Sequence, residues 1–69
     1  MSRKLVLTQK RNAAYKIVIN GNEYIVSVDT SWKPFGYNWK RIGKATDMPD
    51  ALNIIRAHSG SEIREIKDF

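Results

Sequence analysis

The sequence predicts an α+β fold: an antiparallel sheet of three to five strands, in the order β-β-β-(β)-α-β, with one helix packed on one face. Three observations carry this. Apolar and polar residues alternate on both sides of an Asn20-Gly21 dipeptide. A helix-opening signature stands at Asp47-Met48-Pro49-Asp50, and a glycine stands at position 60, where that helix would stop. A short alternating run precedes the hairpin and a short run with two isoleucines follows the helix, and one helix can cover only one side of the sheet they would form.

Residues 3–8 are the first strand, with Leu5 and Leu7 alternating against Lys4, Val6 and Thr8. Gln9 to Asn12 is polar and basic and reads as a turn. Tyr15, Ile17 and Ile19 then alternate with Lys16, Val18 and Asn20, and Tyr24, Val26 and Val28 alternate with Ile25 and Ser27. Asn-Gly between two such runs is a strong hairpin signal, because both residues tolerate the positive φ of a type I′ turn. With Asn20 and Gly21 as the turn residues, Ile19 faces Asn22, Ile17 faces Tyr24 and Tyr15 faces Val26. One face then carries Tyr15, Ile17, Ile19, Tyr24, Val26 and Val28 as a core. The other carries Lys16, Val18, Glu23, Ile25 and Ser27, and is partly solvated.

Pro34 and Gly36 break regular structure between Thr30 and Gly36. Residues 37–44 resume as a strand, with Tyr37, Trp39 and Arg41 on one face and Asn38, Lys40 and Ile42 on the other. Asp47 is the helix N-cap, Pro49 is tolerated in the first turn, and Asp50 suits the positive end of the helix dipole. Met48, Ala51, Leu52 and Ile55 share one side at helical spacing, with Ile54 flanking. Gly60 is a left-handed stop. Residues 61–68 form the last strand, although Ile63 and Ile66 are three apart and match neither period.

Sixty-nine residues make one domain, spanning 1–69. A chain of this size buries only roughly 60% of its unfolded surface, so the core is thin. There is no cysteine, hence no disulfide and no thiolate metal site. The lack of cysteine suits a reducing cytoplasm, and the N-terminal Met-Ser-Arg-Lys-Leu-Val-Leu has too short an apolar run for a signal peptide or a membrane helix.

The net charge is +5. Residues 1–22 hold Arg3, Lys4, Lys10, Arg11 and Lys16 and no acid, and residues 30–46 hold Lys33, Lys40, Arg41 and Lys44 and no acid. The last third is slightly acidic. Such polarity suits a face that meets a polyanion, and it also serves ordinary solubility.

No enzyme is expected. His58 near the helix C-terminus reads as a cation at the negative dipole end or as a packing residue. Asp47 and Asp50 are accounted for as a cap and a first-turn acid. No nucleophile elbow, phosphate loop or metal-ligand spacing is present, and no cofactor is implied.

The informative stretch is 32–44, which holds Trp32, Lys33, Phe35, Tyr37, Trp39, Lys40, Arg41 and Lys44 and no acid. Aromatic rings stack on bases whatever the base, for about 1–3 kcal/mol each, and nearby cations neutralise phosphates. The segment therefore predicts a small basic module that binds single-stranded DNA or RNA. Tyr37, Trp39 and Arg41, presented together by one face of one strand, would lead the site with Trp32 beside them, Lys33, Lys40 and Lys44 would contact phosphates, and Lys10 and Arg11 would extend the track. A thin core competes for the same rings, since each aromatic buries about 150–250 Å². Trp, Tyr and Arg also dominate protein interfaces, so the alternative is a phage- or plasmid-type regulator that seats on an acidic protein surface. A homodimer through the open sheet face, centred on Val18 and Ile25, fits either function.

Overall fold

The computed structural model describes residues 2–10, 13–29 and 38–69, and it has the α+β architecture. Its elements are β1 (Ser2–Thr8), β2 (Ala14–Asn20), β3 (Glu23–Asp29), β4 (Lys40–Ala45), α1 (Met48–Ser59) and β5 (Ile63–Asp68). The strands make one antiparallel sheet in the order β4-β3-β2-β1-β5. The first four therefore form a meander. The helix then carries the chain over one face, and β5 returns beside β1 at the far edge.

The core lies between α1 and that face. Val6, Tyr15, Ile17, Val26 and Val28 point from the sheet toward Ala51 and Ile55 of the helix, and Ala45 joins them. Met48, Leu52 and Ile54 pack at its margin. The helix forms for local reasons as well. The Asp47 side chain accepts from the Asp50 N–H at 3.0 Å, and Pro49 stands in the first turn, where its missing donor would have had no partner. At the other end Gly60 adopts φ 67° and its N–H donates to the Arg56 carbonyl at 2.8 Å. A residue with a side chain is strained in that left-handed conformation.

The hairpin differs from the sequence expectation in its register. Asn20 pairs with Glu23, Ile19 with Tyr24, Ile17 with Val26 and Tyr15 with Val28, so the turn residues are Gly21 and Asn22. Gly21 takes φ 63° at the first turn position. The observed pairing sets apolar side chains opposite apolar ones, whereas the expected one would have set Ile19 against Asn22. The slip is an even number of positions, so the membership of the two faces is unchanged.

Two irregularities explain the awkward spacings in the outer strands. Between β1 and β5 the register shifts at Leu7/Thr8, so that Thr8 faces Ile63 and Leu7 faces Glu65. Arg64 is the extra residue, and the bulge returns Ile63 and Ile66 to the same side although they are three apart. Between β3 and β4 the shift falls at Val26/Ser27 and leaves Ile42 as the extra residue. There Gly43 backs against Ile54, and a Cβ on Gly43 would stand 3.2 Å from that side chain. The fourth strand begins at Lys40, with Asn38 and Trp39 before it, position 37 of the expected strand lies outside the described residues, and the last strand begins at Ile63 rather than 61.

Among the described residues no helix is long and apolar enough to cross a membrane. Replacing Asp47 by Ala should cost about 1 kcal/mol in urea unfolding, the usual worth of an N-cap. Thr8 is completely buried and its hydroxyl has no partner among the described residues. Thr8→Val should therefore leave stability unchanged or raise it, because removing an unsatisfied buried polar group relieves a desolvation penalty. A loss of about 1 kcal/mol or more in Thr8→Val would mean that the hydroxyl is bonded after all.

Candidate nucleic-acid interface

The sheet face away from α1 is assembled by strand alternation. Opposite the core-facing set it carries Leu5 and Leu7 of β1, Lys16 and Val18 of β2, and Ile25 and Ser27 of β3. Val18 and Ile25 are directly paired and only half-buried. Among the described residues no second helix covers them, while Ser27 on the same face is buried.

Over this face the structure brings together two aromatic rings and two cations. The Trp39 ring lies under the Lys16 ammonium, 4.8 Å from its centroid. It meets the Phe69 ring edge-on, with centroids 5.9 Å apart and planes at 63°. The Arg3 guanidinium lies 5.8 Å from the Phe69 centroid. The result is a ladder of cation, ring, ring and cation: Arg3, Phe69, Trp39, Lys16. Cations are held over ring faces by the aromatic quadrupole, and edge-on ring pairs satisfy the same quadrupole. Phe69 is placed by the strand pairing, since its N–H donates to the Arg3 carbonyl at 3.1 Å. Trp39 is half-buried, so the core does not absorb it, and Phe69 is 44% exposed.

Arg41 belongs to this face too, because it pairs with Ser27 and is exposed. Lys44 pairs with Ile25 on the same face and forms an ion pair with Glu23 at 3.5 Å. Lys40 pairs with Val28 and therefore points to the helix side of the sheet edge. The Lys10 ammonium stands 3.5 Å from where a Cβ on Gly60 would be, beside the carbonyl end of α1. That placement satisfies the negative end of the helix dipole and takes Lys10 away from the open face. Of the residues expected at the site, Trp39, Arg41 and Lys44 are thus brought together, and Lys40 and Lys10 are not. Arg11, Trp32, Lys33 and Tyr37, with Phe35, lie outside the described residues.

Sequence reasoning missed Arg3, Lys16 and Phe69 as members of the site. Lys16 was within reach, because the alternation of residues 15–20 already sets it opposite the core. Arg3 and Phe69 were not, because their neighbourhood exists only once β5 returns beside β1.

The other polar feature lies on the helix side. The Tyr15 hydroxyl and His58 Nδ1 are hydrogen-bonded at 2.9 Å, and the two rings meet edge-on at 5.7 Å. Burial pushes the Tyr15 phenol above its ordinary pKa, and a hydrogen bond involving Ser59 opposes the shift. With one aromatic partner and no nearby carboxylate in hydrogen-bond contact, this pair reads as packing that satisfies a buried hydroxyl. Among the described residues no three His, Asp or Glu side chains stand together in a way that could hold a metal ion. Comparison with protein-family models, with curated proteins and with solved structures finds no match.

A folded-state pKa above the unfolded value preserves stability below the unfolded pKa and loses it as pH rises. Tyr15 should therefore add an alkaline destabilisation, above about pH 10, that Tyr15→Phe lacks. At neutral pH Tyr15→Phe should cost about 0.5–1.5 kcal/mol, the worth of the His58 hydrogen bond. Urea midpoints at neutral and strongly alkaline pH check both statements, and the gap between the two proteins should narrow as the pH rises.

Proposed function

We propose that this chain is a non-catalytic binding module whose open sheet face takes single-stranded nucleic acid. The observation that supports the reading is the sharing of one sheet face by Trp39, Phe69, Arg41 and Lys16. Aromatic rings give sequence-tolerant stacking, and cations beside them give phosphate contacts and counterion release. Ring and charge together are what the chemistry of a single strand asks for, whereas a duplex keeps its bases stacked away from such rings.

The described part of the face matches this in sign as well as in shape. Its cations outnumber its acids: Arg3, Lys16, Arg41, Lys44 and Lys67 stand against Glu23, Asp29 and Glu65. Glu23 is paired with Lys44 and Glu65 with Lys67, at 3.5 Å each, and Asp29 is buried. An acidic protein surface is the second reading. The half-buried apolar pair Val18 and Ile25 near the middle of the face favours it, because such a pair suits a desolvated interface.

Titrating tryptophan fluorescence with oligo-dT distinguishes the two. Binding should be present at low salt and should fall by orders of magnitude between about 50 and 200 mM. Trp39→Ala should weaken it by an amount equivalent to about 1–3 kcal/mol, with only a modest change in melting temperature, since the residue is half-buried and stands outside the core. Absence of any fluorescence change at low salt would remove the nucleic-acid reading and leave the protein partner.

A further inference from the structure

Strand register arranges the open face in rows that cross the sheet. In one row Arg41 of β4 is opposite Ser27 of β3, Ser27 is opposite Lys16 of β2, Lys16 is opposite Leu5 of β1, and Leu5 is opposite Lys67 of β5. All five side chains belong to the same face. The cations therefore occupy every second strand, with a small or apolar residue between them. The neighbouring row begins at Lys44, passes through Ile25 and Val18, and ends at Arg3, with Phe69 beside it. The row on the other side runs from Asp29 through Ala14 and Leu7 to Glu65 and carries acids at both ends.

We infer that the Arg41–Lys16–Lys67 row is the phosphate track of the binding face, so that a single strand lies across the β-strands rather than along them. This rests on the nucleic-acid reading above and gives it a direction, a length and a residue set. The direction follows from charge. A polyanion laid along a β-strand would pass from the cationic rows onto the row of Asp29 and Glu65, which holds no cation and whose Asp29 is buried, and one laid across the strands stays beside cations from edge to edge. The rings agree with it: Trp39 stands over Lys16 at the middle of the track, and Phe69 stands near its β5 end.

The length follows from sheet geometry. Four interstrand spacings of about 4.8 Å span roughly 19 Å from Arg41 to Lys67. At the ~3.4 Å per nucleotide of a stacked strand, about six nucleotides cover that distance. The cations are available for exchange. Lys16 leaves a ring face, Lys67 leaves a surface pair with Glu65, and such exposed pairs are weak. Arg41 is exposed at the edge strand.

The test uses the full chain, oligo-dT of two to twelve nucleotides, and charge-removing variants. Affinity should rise with length to about six nucleotides and then level off. Arg41→Gln, Lys16→Gln and Lys67→Gln should each weaken binding roughly five- to tenfold at about 50 mM salt and lower the steepness of log K against log salt by about 0.7. Lys40→Gln and Lys10→Gln remove the same charge elsewhere and should change the slope by much less. Lys67→Gln keeps the test sound if Lys16→Gln disturbs the Trp39 packing, since the Lys67 side chain is 51% exposed. If wild type binds but Lys40→Gln and Lys10→Gln flatten the salt dependence as much as the row variants do, the track is wrong while the nucleic-acid reading stands. If wild type binds no oligonucleotide at low salt, both fall, and retention of an acidic protein surface by the same face takes their place.

Discussion

One helix must seal a five-stranded sheet, and most of the structure follows from that shortage. Twelve residues of α-helix extend about 18 Å, close to the roughly 19 Å width of five strands. The helix is thus long enough to cross one face and to deliver the chain to β5 on the far edge. Nothing comparable remains among the described residues for the other face. Its apolar side chains, Leu5, Leu7, Val18 and Ile25, stay half-buried, while Val6, Tyr15, Ile17 and Val26 on the helix side are almost wholly withdrawn from water. The asymmetry between the faces leaves the side away from the helix with its apolar side chains only partly withdrawn from water.

The ladder of Arg3, Phe69, Trp39 and Lys16 is the partial remedy for that exposure. It draws residues from β1 and β2, from the end of β5 and from the approach to β4 over one side of the sheet. Rings shield apolar area, and cations held on ring faces keep the assembly compatible with water. Ordinary packing of this kind would have used aliphatic side chains.

How much of this was legible in the sequence depends on the range of the interaction concerned. Asp47, Pro49 and Gly60 specify a helix within their own turns, and the helix is where those residues put it. Alternation assigned the two faces of the central hairpin correctly even though the turn lies one residue later, since a slip of two in pairing leaves every side chain on its own face. Ile63 and Ile66 looked irregular because a bulge at Arg64 is a property of the pairing with β1 and not of the segment itself. The site follows the same rule. Trp39 and Arg41 share a face because they are two apart in one chain segment, but Phe69 joins them only through the return of β5. Lys40 is adjacent to Arg41 in sequence and on the opposite side of the sheet edge, and Lys10 is drawn to the helix end. Proximity along the chain overstated how many cations converge.

Charge counted along the chain also hides the arrangement that matters. The last third of the sequence is slightly acidic and would be set aside as a partner for a polyanion. Yet β5 contributes Lys67 to the cationic row, while its Glu65 falls in the acidic row one step away and its Asp68 turns to the helix side to pair with Lys4. Alternation separates neighbours of opposite sign onto different faces, and antiparallel pairing then aligns like charges from different strands. A net charge of +5 spread evenly over a small protein would attract a polyanion without orienting it. Five of the basic residues, Arg3, Lys16, Arg41, Lys44 and Lys67, are sorted by parity and register into rows on one face, and that arrangement is a consequence of strand pairing rather than of composition.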